Sequence, residues 1–141
     1  MKNVYTWAAK PAKRSTTVGD LKAAKGKKKF TQVTANNVDE AAAAEKAGFD
    51  MIIANAKNII PVREGSKNLF LTAALVLNEF VTADDIMRGA FKALENGADA
   101  VMTPRSMDIV EMLAKEDVPV MGHLGLVLSL IHISEPTRQK P

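Results

Sequence analysis

Four short runs in which nearly every residue is apolar constrain this chain more than any other feature: Met51-Ile52-Ile53-Ala54, Leu69-Phe70-Leu71-Thr72-Ala73-Ala74-Leu75, Ala100-Val101-Met102-Thr103 and Val118-Pro119-Val120-Met121. A strand that is apolar on both faces has to be covered on both faces, which is the condition of a parallel sheet buried under helices. A β-branched run of strand length, residues 29–35, precedes them. Between the runs lie helical patterns. Residues 38–46 have the highest alanine density in the chain, with Asn36 or Asn37 as the cap and Gly48 at the C′ position where a left-handed residue is wanted. Residues 83–95 open on Ala83-Asp84-Asp85, acids that the helix dipole favours in a first turn, and end at Gly97; a third pattern covers 106–115. Thr16 or Thr17 caps a short helix over 20–25, closed by Gly26.

Two phrases echo each other, Ala47-Gly48-Phe49-Asp50-Met51-Ile52 and Asn96-Gly97-Ala98-Asp99-Ala100-Val101. In each a helix stops at glycine, an acid follows and a buried strand begins. Such repetition predicts right-handed βαβ crossovers and one parallel sheet. Two α/β architectures meet that description. A doubly wound sheet of five strands would be complete at 141 residues, whereas a (β/α)8 barrel of the TIM type takes about 250 residues and would be present only as its N-terminal part, about five strands. No glycine-rich phosphate loop follows any strand, so the nucleotide-binding form of the first option lacks its signature.

The totals, 47% hydrophobic and 25% charged residues, belong to an ordinary globular chain. No apolar run reaches the length of a membrane span. The absence of cysteine excludes disulfides, thiol catalysis and thiolate metal sites, and with the lack of an apolar signal core at the start it points to the cytoplasm. The basic excess behind the net charge of +3 sits in one place, at Lys10, Lys13, Arg14, Lys22, Lys25, Lys27, Lys28 and Lys29. No aromatic residues are interleaved with them, so a solvated surface is expected rather than a nucleic-acid contact. Residues 1–15 are polar and are expected to form an arm, with the barrel domain over 16–127. Residues 128–138 resemble a translated sequencing-library adapter, so 128–141 are expected to be a non-native tail and the Val127–Leu128 junction a seam. That seam favours the partial barrel over the doubly wound sheet.

Three residues are candidates for contact with a small anionic substrate, each just after a strand, the face on which such barrels keep their chemistry. His123, between Gly122 and Gly125, can donate or accept near neutral pH, or serves as a structural histidine in a tight loop. Lys57 offers an ammonium to a carboxylate and Arg105 a planar fork, unless either is simply solvated. No residue is assigned as catalytic and none as a metal ligand. Met51, Met87, Met102, Met107, Met112 and Met121 fit core packing.

Ser15-Thr16-Thr17-Val18-Gly19-Asp20-Leu21, the strand over 30–35, Ala47-Gly48-Phe49-Asp50 and above all Val118-Pro119-Val120-Met121-Gly122-His123-Leu124-Gly125-Leu126 resemble the ketopantoate (3-methyl-2-oxobutanoate) hydroxymethyltransferase family. The Ala-Gly-Phe-Asp helix end is shared with the wider phosphoenolpyruvate mutase and isocitrate lyase superfamily. The resemblance implies a (β/α)8 barrel, homo-oligomeric at full length, that moves a one-carbon unit from methylenetetrahydrofolate to 2-oxoisovalerate in pantothenate biosynthesis. It also implies magnesium, chelated by the 2-oxo acid and stabilising an enolate. Counted onward from Gly48, however, the family's Gly-Asp-Ser falls on Asn55-Ala56-Lys57, its next strand-end Asp near Ala74, and its Lys-x-Glu on Met102-Thr103-Pro104. None of these replacements is a carboxylate, so magnesium ligands are not kept. Residues 57–68 are shorter than the family's segment, and the family's glutamate base lies beyond the seam. Of the matched polar positions only His123 is kept. The expectation is therefore a divergent, partial family barrel without the family's turnover; the alternatives are another oxo-acid lyase or aldolase of the same superfamily, or a non-catalytic binding module.

Overall fold

The computed structural model describes residues 1–124; the expected seam at Val127 and the expected tail over 128–141 lie outside the described residues. An antiparallel hairpin, β1 (Lys2–Tyr5) with β2 (Pro11–Arg14), precedes a short helix α1 (Val18–Ala23). Then follow β3 (Gln32–Thr34), α2 (Val38–Lys46), β4 (Met51–Asn55), a 3-10 turn (Ala56–Asn58), α3 (Ile59–Gly65), β5 (Phe70–Ala74), α4 (Ala83–Glu95), β6 (Ala100–Thr103), α5 (Met107–Lys115) and β7 (Val120–Gly122). Strands β3 to β7 form one wholly parallel sheet in the order β3-β4-β5-β6-β7. Every strand pairs with its successor and the order never reverses. A doubly wound sheet needs a reversal to place helices on both faces; a barrel adds each strand on the same side as the last. The fold is accordingly α/β, a five-stranded part of a (β/α)8-type barrel.

Alternation along the strands separates two faces. Ile52, Ala54, Leu71, Ala73, Leu75 and Val101 pack with Ala41 and Ala44 of α2, Ile59 and Val62 of α3, Ile86, Ala90 and Leu94 of α4 and Leu113 of α5 in one continuous core. The opposite, concave face begins with Met51, Phe70 and Ala100, which α1 covers through Val18 and Leu21 together with Phe30. The main stabilising burial is thus between sheet and helices, and α1 closes the end of the sheet where the strands begin.

The echoed glycine-acid phrases are built as the sequence predicts. Gly48 has φ +82° and Gly97 φ +114°, left-handed values that end α2 and α4. The acids that follow tie neighbouring strand starts together. Asp50 Oδ2 accepts from the Thr31 amide at 2.8 Å and from Thr31 Oγ1 at 3.0 Å, joining β3 to β4. Asp99 Oδ2 accepts from the Leu71 amide at 2.9 Å, joining β5 to β6. The Thr31 hydrogen bonds hold the Asp50 carboxyl below its ordinary range, against the desolvation that raises it. A depressed carboxyl stabilises the fold above its ordinary pKa, and that stability is lost as pH falls through the depressed value. The Asp50→Asn variant is expected to unfold more readily than the parent at neutral pH, with the difference vanishing in urea titrations carried from about pH 5 to about pH 2.

Two segments differ from expectation. Within the expected polar arm, residues 2–14 form a hairpin, an element the sequence reading did not place, held to the barrel by a polar anchor. Arg14, 4% exposed, donates from Nε to both oxygens of Asp99 at 2.8 and 3.0 Å and from Nη1 to the Lys67 carbonyl. The hairpin turn also sets Trp7 against Phe91 of α4, with ring centroids 5.4 Å apart. The second segment, 57–68, for which the sequence predicts no element, contains α3. Its apolar signal is the i, i+3 pair Ile59 and Val62, both fully buried, too brief to register as a periodicity. Pro61 is tolerated because it stands in the first turn, where amides have no helical partner. Arg63 of this helix donates to the Gly97 and Leu69 carbonyls and to Asp99 Oδ2 at 2.9 Å, so two arginines share one carboxylate. Burial pushes the Arg63 guanidinium down to about 10, with the Asp99 charge opposing the shift, so it stays cationic at neutral pH.

Candidate functional site

The C-terminal ends of the parallel strands converge on one rim, and all three sequence candidates lie on it: Lys57 after β4, Arg105 after β6 and His123 after β7. The structure gives them different surroundings. Lys57 Nζ meets Glu79 Oε1 at 2.8 Å in an exposed ion pair, an arrangement that contributes at most about 1 kcal/mol. Arg105 donates from Nη2 to the carbonyls of Leu77 at 2.8 Å and Phe80 at 3.0 Å, while its Nε is buried with no partner among the described residues. His123 continues the ladder beyond β7, its amide donating to the Thr103 carbonyl at 3.3 Å. That bond fixes the histidine backbone against the end of β6.

Both cations therefore hold one loop. Residues 75–80, between β5 and α4, are tied on one side through Glu79 to Lys57 and on the other through two carbonyls to Arg105. Between these ties the loop walls a cavity of about 300 Å³, lined by residues 74–78 together with Met102, Pro104 and His123. Of the three candidates only His123 lines that space. Asn78, which the sequence reading did not single out, is its other polar wall residue. No local pattern marks Asn78, because its role comes from where the loop is held. The volume is at the small end of the range for ligand sites, and the mostly apolar lining with few polar groups is the usual chemistry of such sites.

A carboxamide network stands beside the cavity at the ends of β3 and β4. Asn36 Oδ1 accepts from the Asn55 amide at 2.8 Å and from Asn58 Nδ2 at 3.2 Å, and Asn55 Oδ1 accepts from the Lys57 amide at 3.1 Å. These bonds set the path of the chain out of β4. They are spent on backbone and on each other, not on a charge.

Magnesium binds through oxygen, commonly one or two carboxylates with waters. At the strand ends Ala56 is buried, Ala74 and Pro104 are cavity walls, and the rim carboxylate Glu79 is paired with Lys57. Among the described residues no three His, Cys, Asp or Glu side chains gather into a metal-binding group. The described residues do not fit a carboxylate-held magnesium.

No protein-family model matches the chain. Curated relatives do. The chain is 33% identical over 125 residues to the 3-methyl-2-oxobutanoate hydroxymethyltransferase of Deinococcus radiodurans, covering 70% of this chain and 44% of the relative. It is 31% identical over 134 residues to the enzyme of that name from Kosmotoga olearia, covering 77% and 50%. For Pyrococcus furiosus the identity is 32% over 127 residues, with 72% and 45% covered. Over the stretch these matches cover, the chain is a divergent relative of the 3-methyl-2-oxobutanoate hydroxymethyltransferases. It spans about half the length of the relatives it matches. The 125 residues of the Deinococcus match also exceed the 70% of this 141-residue chain that they cover, so that hydroxymethyltransferase has residues with no counterpart here. Among the described residues no helix is long and apolar enough to cross a membrane.

Proposed function

We propose that this hydroxymethyltransferase-type half-barrel binds a small 2-oxo acid, 2-oxoisovalerate or a close analogue, in the rim cavity, and that the 141-residue chain does not itself turn it over. The observation that carries this reading is the placement of His123 on an otherwise mostly apolar cavity at the strand ends. An imidazole there donates to the carboxylate or oxo oxygen, and the apolar walls receive the alkyl tail. The loop over residues 75–80, tied by Lys57 and Arg105, keeps those walls in place; both cations thus act on the ligand through the loop. In this reading methylenetetrahydrofolate and magnesium, cofactors the family resemblance implies, have no contact assigned on the described residues. Homo-oligomerisation of a full-length barrel and a cytoplasmic location belong to the same proposal.

Calorimetric titration of 2-oxoisovalerate into the chain tests it. Binding is expected to be unchanged by added magnesium and to weaken by about tenfold or more in His123→Ala, the scale of a lost hydrogen bond to a charged group. Equal binding by parent and variant would remove His123 from the site. Magnesium-dependent product formation from 2-oxoisovalerate and methylenetetrahydrofolate would overturn the absence of turnover.

A further inference from the structure

We infer that Ala74 sets the size of the acid the rim cavity admits, an inference that rests on the cavity being the acid site proposed above. Ala73 is fully buried and packs with Leu71 and Leu75 against the helices. Strand alternation therefore turns Ala74 to the concave face, in register with Asn55 of β4 on one side and Met102 of β6 on the other. It is the last residue of β5, half-buried, and lines the cavity.

Three of the other walls do not offer the same control. Met102 is unbranched and adapts to what it touches, Leu75 is 1% exposed, and Pro104 is held on a rigid ring. Ala74 combines a fixed backbone with a minimal side chain. Its backbone cannot withdraw, because β5 is hydrogen-bonded on both sides, so every carbon added there enters the cavity. In about 300 Å³ a few methyl groups are a large share of the room for a ligand tail. One methylene in an apolar pocket is worth about tenfold or more in discrimination.

The test is a binding series of 2-oxo acids, pyruvate, 2-oxobutanoate, 2-oxoisovalerate and 4-methyl-2-oxopentanoate, titrated into the full chain and into Ala74→Leu and Ala74→Gly. Circular dichroism reports whether each variant folds. Ala74→Leu is expected to keep pyruvate and to lose 2-oxoisovalerate by about tenfold or more. Ala74→Gly, which adds no bulk and serves if the leucine variant does not fold, is expected to improve 4-methyl-2-oxopentanoate relative to pyruvate. The same order of affinities in all three proteins would overturn the role of Ala74 while leaving the acid site standing. Failure of the parent chain to bind any of the four acids would overturn the site itself, and the inference with it.

Discussion

Replacing Asp99 with asparagine is expected to lower the unfolding free energy by about 3–5 kcal/mol, the cost of leaving a buried charge without its partner. Here two charges lose it. Arg14 is 4% exposed and the Arg63 side chain 15%, and both ion pairs end on this one carboxylate. The amide oxygen can still accept hydrogen bonds, but it carries no charge to offset two guanidinium groups. Asp99 also accepts from the Leu71 amide, so the substitution loosens the join between β5 and β6 as well as the hairpin anchor. Since whole domains are stable by about 5–15 kcal/mol, the variant is expected to be near its unfolding threshold at room temperature. Urea denaturation followed by circular dichroism measures this. A loss below about 1 kcal/mol would mean that the hairpin and α3 do not depend on the shared carboxylate.

Gly65→Ala is the second large effect. A Cβ at Gly65 would lie 2.1 Å from the Val38 carbonyl oxygen and 2.9 Å from its carbon, so the start of α2 and the end of α3 touch through backbone. Backbone at a helix start cannot swing aside as a side chain can. The helices must part, and a destabilisation of about 3 kcal/mol, the upper end for overpacking, is expected in the same denaturation assay. Gly89→Ala is the internal control. Its Cβ would also come close to a ring carbon of Phe80, but that neighbour is a partly buried side chain, which can shift more readily than backbone. The two variants should therefore separate clearly, with Gly89→Ala the milder.

Much of the scaffold was legible because its signals are local. The strand runs at 51–54 and 100–103 need only their own residues to be read, and they pair in parallel as read. Gly48 and Gly97 announce left-handed helix ends, and both adopt positive φ. The hairpin was not legible: its hold on the barrel is Arg14 meeting Asp99, residues far apart in the sequence and individually unremarkable. Helix α3 was missed for a similar reason, since two buried residues and an arginine acquire meaning only beside α2 and Asp99.

The site divides in the same way. Lys57, Arg105 and His123 could be found because each directly follows a strand, and strand ends share one rim in a parallel barrel. Which of them faces the cavity could not be found, because that depends on Glu79 and on the carbonyls of Leu77 and Phe80.

By itself the sequence determined the parallel α/β order and the likeness to the hydroxymethyltransferases, since these depend only on residue identity along the chain. Only the tertiary structure decided that Arg14 and Arg63 share Asp99, that Lys57 and Arg105 hold a loop, and that His123 with Asn78 lines the cavity. Those are pairings across the fold, and a hydrogen bond is made by whatever donor and acceptor the packing of sheet and helices brings within about 3 Å.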